Sequence, residues 1–307
     1  LMSMSRKLQY QRLVESGALG RLPFIQIDSL DKENARVVFQ GTEGAYGQAA
    51  MHQFFGDDVN CFHVRTFRDA MEAIEEGSAD YAVLPIENSS AGPVNEMYDL
   101  LDEFENYIVA ETILPVVHTL SGLPGTKLSE IKRVYSKAEA LMQTTRFLDD
   151  HSDWQRISVV NTAIAAKKVL EDQDKAQAAV CSTYAAKLHG LEVLVDEIND
   201  EEDNSTRFIV VTNQKIFLKD ASKISIEFEL PHESGSLYNI LSHFIYNDLN
   251  MTKIESRPVE GKQWEYRFFV DFDGNLEDAA VKNAIRGLRE EARNLRILGN
   301  YSIDGQI

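Results

Sequence analysis

The chain has 307 residues, 44% hydrophobic and 26% charged, enough for two or three soluble domains that each bury a core. A formal net charge of -18 repels phosphate backbones and anionic lipid, which excludes nucleic-acid and membrane-surface binding as a first reading. No apolar run approaches the roughly 20 residues of a membrane span and no signal-peptide core opens the chain, so a cytoplasmic protein is expected.

The first 20 residues differ from the rest. Ser3 to Glu15 is polar, basic and helix-compatible, Gly17-Ala18-Leu19-Gly20 reads as a stop, and a linker runs to Asn34. Opening on Leu1 rather than Met is expected of a piece of something longer. From Ala35 short apolar runs alternate with amphipathic helices: strands Val37 to Gln40, Asn60 to His63 and Tyr81 to Leu84, helices Tyr46 to Phe55 and Phe67 to Glu76. This rhythm predicts βαβ units and a mainly parallel sheet covered on both faces. Tyr107 to Leu120 is long and apolar enough to carry the chain to a second α/β lobe. That lobe would hold strands near Val134-Tyr135, Ile157 to Val160 and Ala178 to Cys181, with helices Ala138 to Leu148 and Ala163 to Leu170. Strand Phe208 to Val211 then returns to the first lobe, leaving a cleft suited to a small ligand. Cys61 and Cys181 each sit in an apolar segment with no second ligand at metal spacing, so both are expected to be buried, unpaired and metal-free.

After Lys219 the pattern changes to strand Ile224 to Leu230, helix Leu237 to Tyr246, strands Met251 to Ser256 and Tyr266 to Val270, helix Ala279 to Ala292 and strand Leu295 to Leu298. This is the βαββαβ order of a ferredoxin-like module and predicts a separate domain.

Four polar clusters interrupt the α/β pattern. Gly41-Thr42-Glu43-Gly44 follows a strand and opens a helix, where amides and the Thr42 hydroxyl could cradle an anion, but two glycines and no Walker lysine argue against a nucleotide. Pro85-Ile86-Glu87-Asn88-Ser89-Ser90-Ala91-Gly92-Pro93-Val94 ends a strand in donors, with Pro93 as a favoured first helical residue. Asn161-Thr162-Ala163 offers a helix cap or a donor pair. Asn204-Ser205-Thr206-Arg207-Phe208 places a hydroxyl and a fixed cation at the mouth of a buried strand. In a regular strand Thr206 and Arg207 point to opposite faces, so they share a pocket only if pairing begins after them.

In order and spacing these four clusters resemble the prephenate dehydratases, over about Arg36 to Tyr301. Gly235-Ser236-Leu237-Tyr238 and Glu255-Ser256-Arg257-Pro258 look like the signature stretches of the regulatory ACT domain that follows the catalytic domain in that family. Ser3, Arg6, Tyr10 and Gln11 are similar to the last helix of a chorismate mutase domain that some relatives carry. The resemblance implies an α/β fold: a helical stub and linker over 1–34, then a two-lobed, periplasmic-binding-protein-like catalytic domain over 35–215. Lobe 1 would take 35–112 and 197–215, lobe 2 113–196, and the ACT domain 220–303.

The implied reaction is decarboxylation and dehydration of prephenate to phenylpyruvate, in phenylalanine biosynthesis, with no metal or organic cofactor. By the resemblance Thr206 donates the proton to the departing ring hydroxyl, polarised by Asn161, Thr162 or Ser89, and Arg207 pairs with a substrate carboxylate. Thr42, Glu43, Gly44, Asn88, Ser89, Gly92 and Phe208 would complete substrate binding, and Glu87 would hold Arg207 or a helix N-terminus. Phenylalanine would bind at Gly235, Ser236, Leu237, Leu249 and Asn250, at an interface within a homodimer or homotetramer. Glu255 and Arg257, two apart on a strand, are expected to pair and order the module. Gly47, Asn161 and Ser136-Lys137 depart from residues frequent in the family. His118, at the end of an apolar strand, is expected to find ordinary partners rather than a catalytic role. Arogenate dehydratase and a non-catalytic binding protein for small anions or amino acids are the alternatives.

Overall fold

The computed structural model describes residues 22–230, 233–259 and 261–303. The expected N-terminal helix, its glycine stop and Ser3, Arg6, Tyr10 and Gln11 lie outside the described residues. In chain order, β1 (Ile25–Ile27) and β2 (Arg36–Gln40) lead to α1 (Tyr46–Phe55), β3 (Asn60–Val64), α2 (Phe67–Glu75) and β4 (Tyr81–Asn88). The two-residue β5 (Gly92–Pro93), α3 (Asn95–Glu103) and β6 (Tyr107–Pro115) follow. The chain then crosses to β7 (Thr119–Gly122), β8 (Arg133–Ser136), the short α4 (Ala138–Met142) and α5 (Thr145–Asp149), and β9 (Gln155–Ser158). α6 (Thr162–Asp172), β10 (Gln177–Cys181), α7 (Thr183–Leu188) and β11 (Glu192–Val195) complete that part. It returns through β12 (Ser205–Thr212) and β13 (Ile216–Leu218). β14 (Lys223–Glu229), α8 (Ser236–Tyr246), β15 (Met251–Pro258), β16 (Tyr266–Asp273), α9 (Ala279–Glu291) and β17 (Arg293–Tyr301) close the chain.

Both larger sheets are mixed rather than mainly parallel as expected. In the first, β2 is parallel to β3 and β4, but β12 lies antiparallel between β4 and β6. In the second, ordered β11-β7-β10-β8-β9, β8 is parallel to its neighbours and β7 antiparallel to both of its own. The antiparallel strands are those that carry the chain between sheets: β6 and β7 outward, β12 back. The last six elements follow the expected βαββαβ succession, yet their strands continue the first sheet, because β17 meets β6 at Gly299–Ile108. Glycine is required there, since a Cβ at Gly299 would collide with the carbonyl oxygen of Ile108.

Alternation along the strands sorts the core. One face of the first sheet packs Val37, Phe39, Val83, Phe208 and Val210 against Met51 and Phe54 of α1. The other packs Val38, Leu84, Ile209 and Val211 against α2 and α3, and extends to Phe269, Leu298 and Tyr301 of the C-terminal strands. Each fully buried Val, Leu, Ile or Phe contributes roughly 1.5–3 kcal/mol. α2 is further fixed by a reciprocal capping box between Thr66 and Asp69.

Two local expectations fail. Pro93 does not open a helix; it pairs with Glu87 in β5, and α3 begins at Asn95. The helix expected over Ala138 to Leu148 is broken at Gln143-Thr144, where the Thr144 hydroxyl donates back to the Ala140 carbonyl and the backbone leaves helical geometry. Cys181 is buried and Cys61 half-buried, both unpaired. Among the described residues no helix is long and apolar enough to cross a membrane, and no group of three or more His, Cys, Asp or Glu is placed to hold a metal.

Candidate functional site

The ends of β4 and β12 meet where two clusters of polar residues fall, and one amide organises both. Asn88 Oδ1 accepts from the Ser90 and Ala91 amides at 3.0 and 2.8 Å, which fixes the side chain's orientation. Its Nδ2 therefore faces β12, donating to Thr206 Oγ1 and Asn204 Oδ1 at 2.9 Å each. Thr206 is half-buried and not turned into solvent. Its oxygen is an acceptor in this contact, and the hydroxyl donates to no group among the described residues, so its proton is available. A hydroxyl that accepts a hydrogen bond is a stronger donor. Asn204, a residue the sequence reading did not assign, is 3% exposed and its Nδ2 has no partner. Its one sequence signal was its place at the head of the Ser-Thr-Arg-Phe run.

Thr206 and Arg207 belong to the paired part of β12, opposite Asn88 and Glu87 on β4 and Leu114 and Ile113 on β6. The two side chains therefore lie on opposite faces, and the expected pairing of Arg207 with a substrate carboxylate on Thr206's side is corrected. Arg207 instead meets Glu87 at 3.3 Å, Glu111 at 3.3 Å and Asp271 at 3.1 Å. Burial opposes its charge, but Glu111, Tyr301 and Asp271 hold the guanidinium above its ordinary value. Glu87 holds Arg207 as expected, and Lys253 at 2.8 Å as well.

Several other expected contacts are also displaced. Ser89 is a staple: its hydroxyl donates to the Asp203 carbonyl at 3.1 Å and accepts from the Ser205 amide at 2.9 Å. The amides expected to bind a carboxylate near Gly92 are those of Ser90 and Ala91, already taken by Asn88, while Gly92 closes the turn at φ 84° opposite Asn88. Phe208 is a core residue under α1, and Glu43 is exposed with the wrong charge for an anion.

The first and third clusters approach each other. Asn161 caps α6, accepting from the Ile164 amide at 2.7 Å, while its Nδ2 reaches Thr42 Oγ1 at 3.4 Å. Gly44, at φ 85°, faces Ala163, Ala185 and Leu188, so the first turn sits on α6 and α7. Thr162 is buried at the start of α6, where helix-terminal amides favour an anion. These residues connect to the Thr206 end through the crossing segment. Tyr46, two residues past Gly44, donates to the Val117 carbonyl at 2.8 Å and lies 3.2 Å from His118 Nδ1. The Val116 amide donates to the Asn204 carbonyl at 2.8 Å, and Ser205 pairs with Pro115. His118 finds side-chain partners, with Nε2 2.9 Å from Gln143 Oε1, and burial lowers its pKa against the opposing Gln143 contact. Ser136 is tied to the Val180 carbonyl at 2.6 Å and Lys137 to Glu139 at 2.7 Å. Ser90, Gln143, Asn199 and Asn204 line a cavity of about 270 Å³ that Glu139, Asp200 and Glu201 make acidic.

The C-terminal residues fall into two groups at opposite ends of α8. Gly235 caps its start at φ 87° with open space where a Cβ would lie, and Ser236 and Leu237 line a 380 Å³ cavity with Trp264 and Tyr266. Leu249 packs on the module's core past the other end, and Asn250 donates to Asp273 at 2.8 Å. Arg257 does not pair with Glu255; it reaches Asp99 of α3 at 2.7 Å.

A family profile described as prephenate dehydratase matches residues 37–216. The bifunctional chorismate mutase/prephenate dehydratase of Escherichia coli (strain K12) is 32% identical over 299 residues, 95% of this chain and 78% of that protein. The arogenate dehydratase/prephenate dehydratase 2, chloroplastic, of Arabidopsis thaliana is 37% identical over 282 residues, 88% and 73%. Among solved structures, the prephenate dehydratase from Arthrobacter aurescens in complex with L-Phe superposes with a TM-score of 0.80 at 33% identity, covering 87% of this chain and 89% of that one. A structure described as GqqA, a novel type of quorum quenching acylase, gives 0.81 at 30% identity, covering 88% and 98%.

Proposed function

The chain belongs to the prephenate dehydratase family, lyases that decarboxylate and dehydrate prephenate, and from that premise we propose that Thr206 is the acid of this reaction. The substrate is prephenate and the product phenylpyruvate, as a step of phenylalanine biosynthesis. The C–C bond to the ring carboxylate breaks, the group leaves as carbon dioxide, and the bond's electrons complete the aromatic ring. The ring C–O bond breaks, and the leaving oxygen takes a proton through Thr206 and departs as water. The observation that carries this role is the Asn88-to-Thr206 hydrogen bond, which occupies the threonine oxygen and leaves its proton free. Asn88 takes the polarising role expected of Asn161, Thr162 or Ser89.

Thr42, Asn161 and the amides at Thr162 and Ala163 form the carboxylate end, supported by the positive end of α6. Arg207 acts from behind the strand rather than on the substrate. The catalytic part is two-lobed, divided at the two crossings between sheets, and the βαββαβ part is an ACT domain. Gly235 and Leu249-Asn250 lie beyond opposite ends of α8, whose 11 residues span roughly 16 Å at 1.5 Å per residue, too far for one amino acid to bridge. This separation supports phenylalanine held between two copies, one giving each end, in a homodimer or homotetramer. Inhibition then follows from unequal affinity of two states for phenylalanine.

Arogenate dehydration is the second reading, favoured by the likeness to the arogenate dehydratase/prephenate dehydratase of Arabidopsis thaliana. Steady-state turnover of prephenate and of arogenate, each with and without phenylalanine, tests the proposal. Phenylpyruvate formation suppressed by phenylalanine is expected; binding of prephenate without product would refute it.

A further inference from the structure

We infer that Lys253 and Asp271 of the C-terminal strands are positioning residues for Thr206, acting through Glu87 and Arg207; this rests on the function proposed above. Six charged side chains meet between the two parts of the chain. Glu87, Glu111 and Arg207 come from strands before residue 215, and Lys223, Lys253 and Asp271 from strands after 220. The first three carry one net negative charge and the second three one net positive, so neither set is neutral alone.

The contacts alternate in sign, and all but Glu87–Arg207 and Arg207–Glu111 join one set to the other. Lys253 meets Glu87 at 2.8 Å, Glu87 meets Arg207 at 3.3 Å, Arg207 meets Asp271 at 3.1 Å, and Lys223 meets Glu111 at 3.1 Å. Ser225 fixes the far end, donating to Asp271 at 2.6 Å. Lys253 Nζ against Glu87 and Arg207 Nε against Glu111 lack hydrogen-bond alignment and act by charge at short range, whereas Arg207 donates to Asp271 and Lys223 to Glu111. Glu111 is fully buried, and buried pairs are weakly screened by salt.

The ladder beside Thr206 makes it sensitive to these charges. Arg207 stands opposite Glu87, but Phe208 stands opposite Pro85, so Ile86 is bulged out of the pairing. Proline has no amide hydrogen to give to the ladder. The two pairs Glu87–Arg207 and Asn88–Thr206 are thereby cut off from the regular β4–β12 register. Movement of the first pair is movement of the second, which sets the distance from Asn88 to the Thr206 oxygen. The residual void around Arg207, Tyr98, Ser225, Asp271 and Tyr301 is about 10 Å³, which leaves little internal space beside the guanidinium.

The test is kcat and KM for prephenate in the full chain carrying Lys253→Met, Lys253→Arg, Glu87→Gln or the Lys253→Met/Glu87→Gln double, with thermal melting of each. A cooperatively folded Lys253→Met with kcat down about tenfold and KM within about twofold is expected, because loss is confined to the transition state. Lys253→Arg should regain most of that rate, and the double should fall no further than Glu87→Gln alone. Parental kcat in folded Lys253→Met, or losses that multiply in the double, would overturn the inference. If Lys253→Met fails to fold, Asp271→Asn, of the same shape, is read by the same criteria. A parent inactive on both prephenate and arogenate is read first and defeats the proposed function instead.

Discussion

Asn88 decides more of this site than Thr206 does, because its amide is locked from behind by two backbone N–H groups before it reaches the threonine. Asn88→Ala is expected to lower kcat by about 10- to 100-fold, since the threonine oxygen loses its donor while substrate carboxylates keep theirs. Asn88→Asp should be worse at neutral pH, because a carboxylate can accept from the Ser90 and Ala91 amides but cannot donate to Thr206. Steady-state kinetics on the two variants check both statements. At this scale the sequence was legible in part. The hydroxyl, the amide and the glutamate beside them could be picked out by residue type, and alternation already required Thr206 and Arg207 to part if both lay in the ladder. Residue type could not tell that Ser89 spends its hydroxyl on β12, or that Asn204 is buried with a free donor. Those are facts of register, and register is not printed in composition.

Among the elements, strong periodicity was readable and short or irregular pairing was not. Helix Tyr46–Phe55 falls where its apolar spacing places it, and strands β2, β3, β10 and β14 fall within a residue or so. β5, β1 and β13, two or three residues long, carry no periodic signal, and the Thr144 break depends on one hydroxyl turning back on its own helix. The direction of pairing also had to come from tertiary structure, because β12 inserts antiparallel between β4 and β6. The contact between β17 and β6 rests on Gly299. Gly299→Ala is expected to destabilise the chain by about 1–3 kcal/mol through overpacking against Ile108, and to lower kcat as the C-terminal strands shift from Arg207. Parental melting and parental kcat together in this variant would show that the close approach is not needed.

At the scale of the whole molecule, a chain of net charge -18 places four arginines where two parts of the fold meet. Arg207, Arg257, Arg267 and Arg296 each reach from one part to the other, to Asp271, Asp99, Asp102 and the Phe104 carbonyl. Burial pushes the Glu227 carboxyl up to about 7 even though Arg296 lies 2.7 Å away and opposes the shift. A folded-state value above the unfolded one means protons bind the folded chain more tightly in that window. The contribution of Glu227 is thus full below its unfolded value near 4.5 and is lost as pH rises through about 7, an effect of about 3 kcal/mol at most. Relative to Glu227→Gln, the parent should lose stability between pH 5 and 8 in denaturant titrations; a constant difference would rule the linkage out. The claim on which the catalytic reading turns is that a threonine hydroxyl is the acid. Its most direct measurement is kcat for phenylpyruvate formation from prephenate in Thr206→Ala and Thr206→Ser beside the parent. A fall of about 10²-fold or more in Thr206→Ala, at little changed KM and with Thr206→Ser recovering most of the rate, is the expected result. Parental kcat in Thr206→Ala would contradict it.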